Sequence, residues 1–243
     1  MRALLLFVLT ASCAAALASA AAQTPLAAQR RAQVSHEKIL QEHPTSAPAH
    51  LAYAEFLSEN GNLRAAIAHW HEAQRLDPGN AATANSLGGA YLRMGRAAES
   101  AAQFSRAIEL ASGNAAYHFN LANVEFMLRH DLQAAWKVTP SEVLRRALVE
   151  FRTASDLSPY DVEYARAYAE TFYGMPDPDW AQAALAWKRV LALSPRGDFA
   201  YLQLARVSLK RGDANEARRC LAKLSDSRNE SLKRKLLAEA DLL

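Results

Sequence analysis

Residues 66–78 read AIAHWHEAQRLDP, and within them Ala66, Trp70, Ala73 and Pro78 are separated by four, three and five positions. Two later stretches repeat this spacing: Ala147, Phe151, Ala154, Pro159 and Ala183, Trp187, Val190, Pro195. Looser copies begin at Ala32, Ser100 and Ala217. The first residues of the six copies lie 34, 34, 47, 36 and 34 positions apart. A period of this length indicates a stacked repeat protein, in which each unit packs on its neighbours.

A 34-residue unit with this pattern resembles the tetratricopeptide repeat (TPR) family, over roughly residues 30–229. The second unit follows the family pattern at six positions: Leu87, Gly88, Tyr91, Gly95, Phe104 and Ala107. It departs at Ser100 and Ser112, where the family has alanine and proline. The resemblance implies an all-α solenoid, a right-handed superhelix of antiparallel helix pairs. The composition agrees, because 51% hydrophobic residues with only nine Gly and nine Pro favour helices over long loops.

The register of the repeat predicts how the chain is divided. We expect a signal peptide at 1–20, the N-terminal helix of a partial repeat at 21–46, repeats at 47–80, 81–114, 115–161, 162–197 and 198–229, and a capping helix at 230–243. The fold therefore has about five repeats between an N-terminal half-repeat helix and a C-terminal capping helix. The capping helix is expected to cover the apolar face that the last repeat leaves open.

The third repeat is longer than the 34-residue period by 13 residues, which fall near 128–140. We expect either a loop or an extension of the repeat's first helix there, with the second helix capped by Ser141. Insertions in solenoids often lie on a binding face. Trp136, with Lys137 beside it, is therefore a candidate contact for a partner. The alternative is that Trp136 packs back on the second helix.

The first twenty residues do not fit the repeat. A positive residue at Arg2, an apolar stretch from Ala3 to Leu9 and small residues at 18–20 predict a secretory signal peptide. The apolar stretch is far shorter than the ~20 residues that span a bilayer. We therefore expect an exported protein, periplasmic or secreted. Lipid anchoring at Cys13 is an alternative, and membrane contact is expected only in that case.

The sequence gives no signal for catalysis, a metal or a cofactor. His69 and His71 lie two apart on a predicted helix, so they point to different sides and do not form a metal site. No glycine-rich phosphate loop or nucleophile motif is present. Nor does the chain carry a recognised nucleic-acid motif. We therefore expect a protein that is not an enzyme, has no cofactor and binds neither metal nor nucleic acid.

In the TPR family, the first helices of successive repeats line a concave groove, and the resemblance implies groove residues at fixed positions of these helices. The candidates are Asn85, Phe119, Asn120, Asn123, Phe126, Arg166, Tyr173, Gln203 and Arg206. Asparagines offer donors and acceptors to a peptide backbone, aromatic rings line apolar pockets, and arginines can hold a carboxylate. The alternative for each residue is ordinary solvation on an exposed helix. The lysine with which the family clamps a C-terminal carboxylate is missing.

These observations favour a non-enzymatic scaffold that binds a protein or peptide segment in the groove, in the cell envelope. One alternative is a structural or assembly subunit that docks through a basic C-terminal surface. Its basic residues are Lys210, Arg211, Arg218, Arg219, Lys223, Arg228, Lys233 and Arg234, against Asp213, Glu216, Asp226 and Glu230. Such a run is also compatible with a solvated helix face. A third hypothesis is an accessory module of an envelope-polymer or glycan system, with carbohydrate stacked on Trp136.

Overall fold

The computed structural model describes residues 26–195 and 197–243, and the regular structure within these ranges is entirely helical. The predicted signal peptide at 1–20 and Cys13 lie outside the described residues. The chain divides into two compact units, of which the first ends at Thr83 and the second runs from Ala84 to Leu243.

The first unit contains helices α1 (26–42), α2 (Ala47–Glu59) and α3 (Leu63–Leu76), and α4 (Ala81–Arg93) begins in it. Helix α1 ends before Pro44, because proline disfavours a helical conformation in the residue before it. Ser46 caps α2 by accepting a hydrogen bond from the backbone N–H of Ala49. Gly61, at φ +81°, makes the turn from α2 to α3, which pack against each other.

Small side chains allow α2 and α3 to approach closely. Ala54, Ala66 and Ala73 are at most 1% exposed, and the large rings of Tyr53 and Trp70 are buried around them. Alanine at the contact lets the helix axes come within roughly 8–10 Å, and the rings fill the remaining space. The repeated pattern therefore consists of packing residues in this unit.

The second unit contains the rest of α4 and a series of consecutive helices. These are α5 (Ala97–Leu110), α6 (Ala115–Met127), α7 (Arg129–Trp136), α8 (Pro140–Leu157), α9 (Val162–Thr171), α10 (Trp180–Leu193), α11 (Asp198–Lys210), α12 (Ala214–Leu221) and α13 (Glu230–Ala240). Contacts join neighbours along the series, as in α8 with α9, α9 with α10, and α10 with α11. Packing of each helix on its neighbours is the arrangement of a helical repeat, so the predicted all-α repeat fold is confirmed.

Aromatic residues of the pattern are buried in the second unit. Phe151 of α8 is 2% exposed, and Trp187 of α10 is fully buried. Near the C-terminal end, Leu236 of α13 joins Leu204 and Leu221 in one apolar cluster. Helix α13 thus covers apolar surface of the α11–α12 pair, which would otherwise face solvent.

The insertion near 128–140 forms a separate helix, α7, and both sequence expectations for it, a loop or a longer α6, were wrong. Leu128 follows the last residue of α6, and α7 starts at the residue after it. Leu132 of α7 is fully buried in a cluster with Val124 and Val143. A short helix is the better solution because it buries this leucine while pairing its own backbone groups.

The start of α8 also differs from the expectation. Thr139, not Ser141, is the N-cap: its hydroxyl accepts from the backbone N–H of Glu142, and the Glu142 carboxylate accepts from the N–H of Thr139 at 2.7 Å. Pro140 explains the difference, because proline suits the first helical position and holds the preceding residue extended. Thr139 is accordingly at φ −79°, ψ 155°.

Ser100, which departs from the family pattern, has a role in packing. It is fully buried, and its hydroxyl donates a 2.8 Å hydrogen bond to the carbonyl oxygen of Gly88 in the facing helix. Gly88 itself lies against the ring of Phe104: a Cβ placed on it would be 2.7 Å from Phe104 Cδ1. Glycine at 88 therefore sets how closely α4 and α5 approach. At the neighbouring Gly89, no atom beyond its chain neighbours and the nearby backbone of its own helix lies within 4 Å of the ideal Cβ position.

This contrast gives a matched pair of substitutions. Gly88→Ala should lower the free energy of unfolding by about 1–3 kcal/mol, because the methyl group overlaps a buried ring. Gly89→Ala should raise it by about 0.5–1 kcal/mol, because alanine has the higher helix propensity. Urea unfolding followed by helical circular dichroism measures both. Equal effects of the two substitutions would contradict the close approach at Gly88.

Candidate functional site

Two of the predicted groove asparagines contact each other. Asn120 Nδ2 of α6 donates a 2.9 Å hydrogen bond to Asn85 Oδ1 of α4, and both side chains are half-buried. Asn123 follows Asn120 by three residues on α6 and is also half-buried. The amide pair fixes both side chains, but each amide can still make further hydrogen bonds. Sequence spacing alone did not show that the two asparagines pair.

The predicted aromatic groove residues pack on other rings. The ring centroid of Phe119 lies 4.5 Å from that of Tyr164 and 5.6 Å from that of Phe151. Phe126 lies 6.3 Å from Phe151, and both phenylalanines pack against the cluster that contains Phe151. Much of their ring surface is therefore used within the unit.

Arg166 is paired with acidic residues of its own helix. Its Nη2 lies 2.8 Å from Glu163 Oε2, and its Nε lies 3.7 Å from Glu170 Oε1. All three side chains are substantially exposed, so each pair contributes little stability and competes with solvent. Arg166 would have to exchange these partners to hold a carboxylate of a ligand.

The remaining three groove candidates come together at the C-terminal end. The Tyr173 hydroxyl donates a 3.3 Å hydrogen bond to the carbonyl oxygen of Gln203, and Arg206 Nη1 lies 3.5 Å from Gln203 Oε1. Desolvation raises the pKa of Tyr173 to about 12, so this hydroxyl stays a hydrogen-bond donor at neutral pH.

Tyr173 and Arg206 line a cavity of about 480 Å³ that also involves α13. Its lining residues are Tyr173, Arg206, Leu209, Lys210, Leu232, Lys235, Leu236, Glu239 and Leu243. We call it the C-terminal pocket. Its residues on α11 and on α13 follow the spacing i, i+3, i+4, so each helix contributes one face. Three cations and one carboxylate surround four leucines, which makes the pocket both apolar and positively charged.

Three of the eight basic residues of the C-terminal run, Arg211, Arg218 and Arg228, are paired with acids. Arg218 Nη2 lies 2.8 Å from Asp241 Oδ1, and Arg228 is bound to Asp226. Lys188 and Arg211 both contact Glu216. These pairs neutralise part of the run, whereas the cations of the C-terminal pocket have one acidic neighbour among its lining residues, Glu239.

Trp136 lies at the end of α7 with its ring partly covered. The guanidinium of Arg146 lies 4.9 Å from the ring centroid, and the side chain packs against the cluster of Leu132 and Val143. This arrangement matches the alternative in which Trp136 packs back on the second helix of its repeat. It leaves less ring surface for a sugar.

Sequence reasoning missed a polar cluster between α6 and α8. His118 Nδ1 lies 2.6 Å from Glu150 Oε2, and its Nε2 lies 2.9 Å from the carbonyl oxygen of Ser112. Glu125 is 3% exposed on the same face of α6. Burial, followed by the charge of Glu150, raises the pKa of Glu125 to about 8, and Arg146 opposes the shift. The seven-residue spacing of His118 and Glu125 was the available signal, since it places both on one helix face.

A histidine pair in the first unit was missed as well. The Nδ1 atoms of His50 and His69 lie 3.0 Å apart, and burial, with the charge of His50, lowers the pKa of His69. His71, its neighbour in sequence, is exposed. Over residues 26–195 and 197–243, no group of three or more His, Cys, Asp or Glu side chains is arranged to hold a metal ion. In the same ranges, no helix has the length and apolar character needed to cross a bilayer.

Comparison with known proteins identifies the fold. No protein-family model matches the chain, and no curated protein matches it. Solved structures do match. YrrB, described as a TPR protein with an unusual peptide-binding site, superposes with a TM-score of 0.65 at 19% identity, covering 86% of this chain and 98% of YrrB. The chain has a TPR-type fold.

Two further TPR-type neighbours agree. MamA gives a TM-score of 0.60 at 17% identity, covering 78% of this chain and 94% of MamA. PilF of Pseudomonas aeruginosa gives 0.59 at 19% identity, covering 88% of this chain and 90% of PilF. The fold class predicted from the repeat is thus confirmed. At these identities the likeness concerns the fold alone.

The raised pKa of Glu125 predicts how stability depends on pH. The folded protein holds this proton up to about pH 8, whereas an unfolded glutamate loses it near its ordinary value of 4.5. The stabilisation is therefore complete below the unfolded pKa and is lost as the pH rises through the folded pKa, at up to about 1.4 kcal/mol per pH unit. Urea unfolding between about pH 5 and pH 8 should show a steeper decline for the native chain than for Glu125→Gln.

Glu109→Gln is the matched control, because Glu109 is an exposed glutamate of α5 in the same unit. It should keep the native pH dependence. Parallel curves for the native chain and Glu125→Gln would show that Glu125 does not take up a proton on folding.

Proposed function

We propose that this protein is a non-enzymatic interaction scaffold that holds a segment of a partner protein in its C-terminal pocket. One observation carries the proposal: two predicted groove residues, Tyr173 and Arg206, line the same cavity as one face of α13. Lys210 of the predicted basic surface lines the same cavity. These contacts support a proposal that draws on both the groove hypothesis and the docking hypothesis.

The lining of the pocket indicates what it binds. Leu209 and Leu232 are half-buried and Leu243 is 67% exposed, so apolar surface remains available to a ligand. Lys210 and Lys235 are exposed beside these leucines. A matching segment carries apolar side chains that enter between the leucines and carboxylates that meet the cations. We therefore propose that the C-terminal pocket binds a peptide segment that is acidic and rich in leucine.

The amide pair suggests a second contact region for the same class of ligand. Asn85, Asn120 and Asn123 offer hydrogen bonds that do not depend on the ligand's side chains. The TPR-type fold supports a scaffold role, and the peptide-binding site named for YrrB belongs to a protein of the same fold. The glycan hypothesis has less support, because Trp136 is packed against its own unit.

Charge reversal in the pocket tests the proposal. The probe is a short fluorescein-labelled peptide that alternates leucine and glutamate, titrated by fluorescence anisotropy. Lys210→Glu with Lys235→Glu should weaken its binding at least about tenfold, equivalent to about 1.4 kcal/mol, because attraction becomes repulsion. Raising the salt concentration should weaken binding to the native chain as well.

A control double variant has the same change in net charge. Lys223→Glu with Arg234→Glu alters two exposed cations that do not line the pocket, and Arg234 lies on α13 itself. It should keep binding within about twofold. Two results would contradict a pocket that is specific for acidic segments. One is an equal loss of peptide affinity in the two double variants. The other is a leucine–lysine peptide that binds the native chain as tightly as the leucine–glutamate probe.

Deletion of residues 231–243 is a poorer test than charge reversal. Leu236 belongs to the same buried cluster as Leu204 and Leu221, so the deletion removes part of the core together with the pocket. A loss of binding would then not separate a damaged fold from a missing contact. The surface substitutions avoid this ambiguity.

We further propose that the scaffold is exported and acts in the periplasm or outside the cell. The support is the signal-peptide pattern of residues 1–20. Residues 1–25 fused to an alkaline phosphatase that is active only after export should give phosphatase activity. Replacing Leu4, Leu5 and Leu6 by glutamate should abolish that activity, since the apolar core of the signal is lost. Activity that survives the replacement would contradict export by this segment.

A further inference from the structure

A second cavity lies on a different part of the second unit, between α5, α6 and α8. Its volume is about 400 Å³, which falls within the range of roughly 300–1,000 Å³ for small-ligand sites. It is lined by Ser105, Leu121, Glu125, Arg145, Arg146, Val149 and Glu150. We call it the Glu125 pocket. It shares no lining residue with the C-terminal pocket.

Glu125 is the unexplained group of this cavity. The residue is 3% exposed, and among the described residues its Oε2 atom has no hydrogen-bond partner. Burying a carboxyl without a partner is unfavourable by several kcal/mol when it is charged. Buried polar groups are almost always paired in native proteins, so an orphan that lines a cavity indicates a missing partner.

The side chains nearby do not supply that partner. Glu150 is bound to His118, and its negative charge repels a charge on Glu125. Arg146 lies over the ring of Trp136, at 4.9 Å from the centroid. The positive charge of Arg146 lowers the pKa of Glu125, but by less than burial raises it. The pocket therefore has room for an external group beside Glu125, whose carboxyl keeps its proton below about pH 8, and beside the negative charge of Glu150. A cation bound there would favour ionisation of Glu125.

The rest of the lining fits the stem of a long basic side chain. Leu121 and Val149 are apolar, and such surfaces suit the methylene groups of lysine or arginine while the charged end reaches the carboxylate. Arg145 and Arg146 are exposed and line the same cavity. Their positive charges repel a ligand with several cations more strongly than a ligand with one, and they attract acidic residues that neighbour that cation.

We propose that the Glu125 pocket binds a single lysine or arginine side chain of a partner protein, with its cationic end paired to Glu125 and Glu150. A charge-assisted hydrogen bond of this kind supplies the missing partner of Oε2. The Glu125 pocket would be a second recognition site. It would select a basic side chain, whereas the C-terminal pocket is proposed to select an acidic segment. It does not depend on the function proposed for that pocket.

The test uses capped single amino acids as probes and the full chain. N-acetyl-arginine N-methylamide and its lysine counterpart are titrated at about pH 8.5, above the pKa of about 8 that burial gives Glu125. Binding is followed by NMR shifts of the Leu121, Glu125 and Val149 amides. At least one probe should bind saturably, and Glu125→Gln should weaken it at least about tenfold, because the paired charge is removed.

Three control variants identify the binding site. Glu109→Gln, an exposed glutamate of α5, should leave binding unchanged. Ser105→Lys places an internal cation at the cavity wall and should block the probe even though it keeps Glu125. Lys210→Glu with Lys235→Glu should leave it unaffected, so this test can fail or succeed independently of the test on the C-terminal pocket.

Several outcomes would overturn the proposal. Capped norleucine or capped glutamate binding as well as the basic probes would show that the pocket does not select a cation. Binding of 1,4-diaminobutane without binding of either capped residue would assign the site to a free amine instead of a protein side chain. Saturable binding that Glu125→Gln does not weaken, or no binding by any basic probe, would also exclude the pairing with Glu125.

Discussion

The structure depends on the close approach of neighbouring helices, which small side chains make possible and large aromatic rings complete. Ala147 and Ala154 of α8 are fully buried beside Phe151, and Ala183 of α10 is fully buried beside Trp187. A repeat stack has no single deep core, so its stability is the sum of such contacts between neighbours. Gly88 and Ser100 show the same constraint in another form, because the missing Cβ admits Phe104 and the serine hydroxyl pairs the Gly88 carbonyl at 2.8 Å.

This constraint also explains why the fold was predictable from the sequence and the insertion was not. Contact positions recur with the repeat period, so Trp70, Phe151 and Trp187 mark helix pairs without any alignment. The residues that decide the insertion follow no period. Burial of Leu132 makes the segment a helix, and Pro140 moves the cap of α8 to Thr139. Burial of Leu132 depends on tertiary packing and could not be predicted from the sequence. The cap at Thr139 could have been predicted, because proline prefers the first helical position.

The candidate site was predictable in its residues but not in its grouping. Family positions indicated Tyr173, Gln203 and Arg206, and these three residues do lie together. The sequence did not predict that α13 joins them. The face of α13 that lines the pocket is fixed by the packing of α13 on α11 and α12, which is tertiary structure. The asparagine pair is similar: Asn85 and Asn120 are 35 residues apart, close to one repeat, but a period does not show which side chains turn toward each other.

The buried carboxyl of Glu125 is important because it lines a cavity. In a fold with a deep core, an unpaired carboxyl would be both unfavourable and unreachable, and it would simply be replaced by an apolar residue of similar size. Glu125 is 3% exposed and still lines a cavity. Packing of helices on their neighbours therefore leaves this polar group both desolvated and accessible. That combination strengthens electrostatic pairing with a ligand, since the interaction takes place at low local dielectric constant.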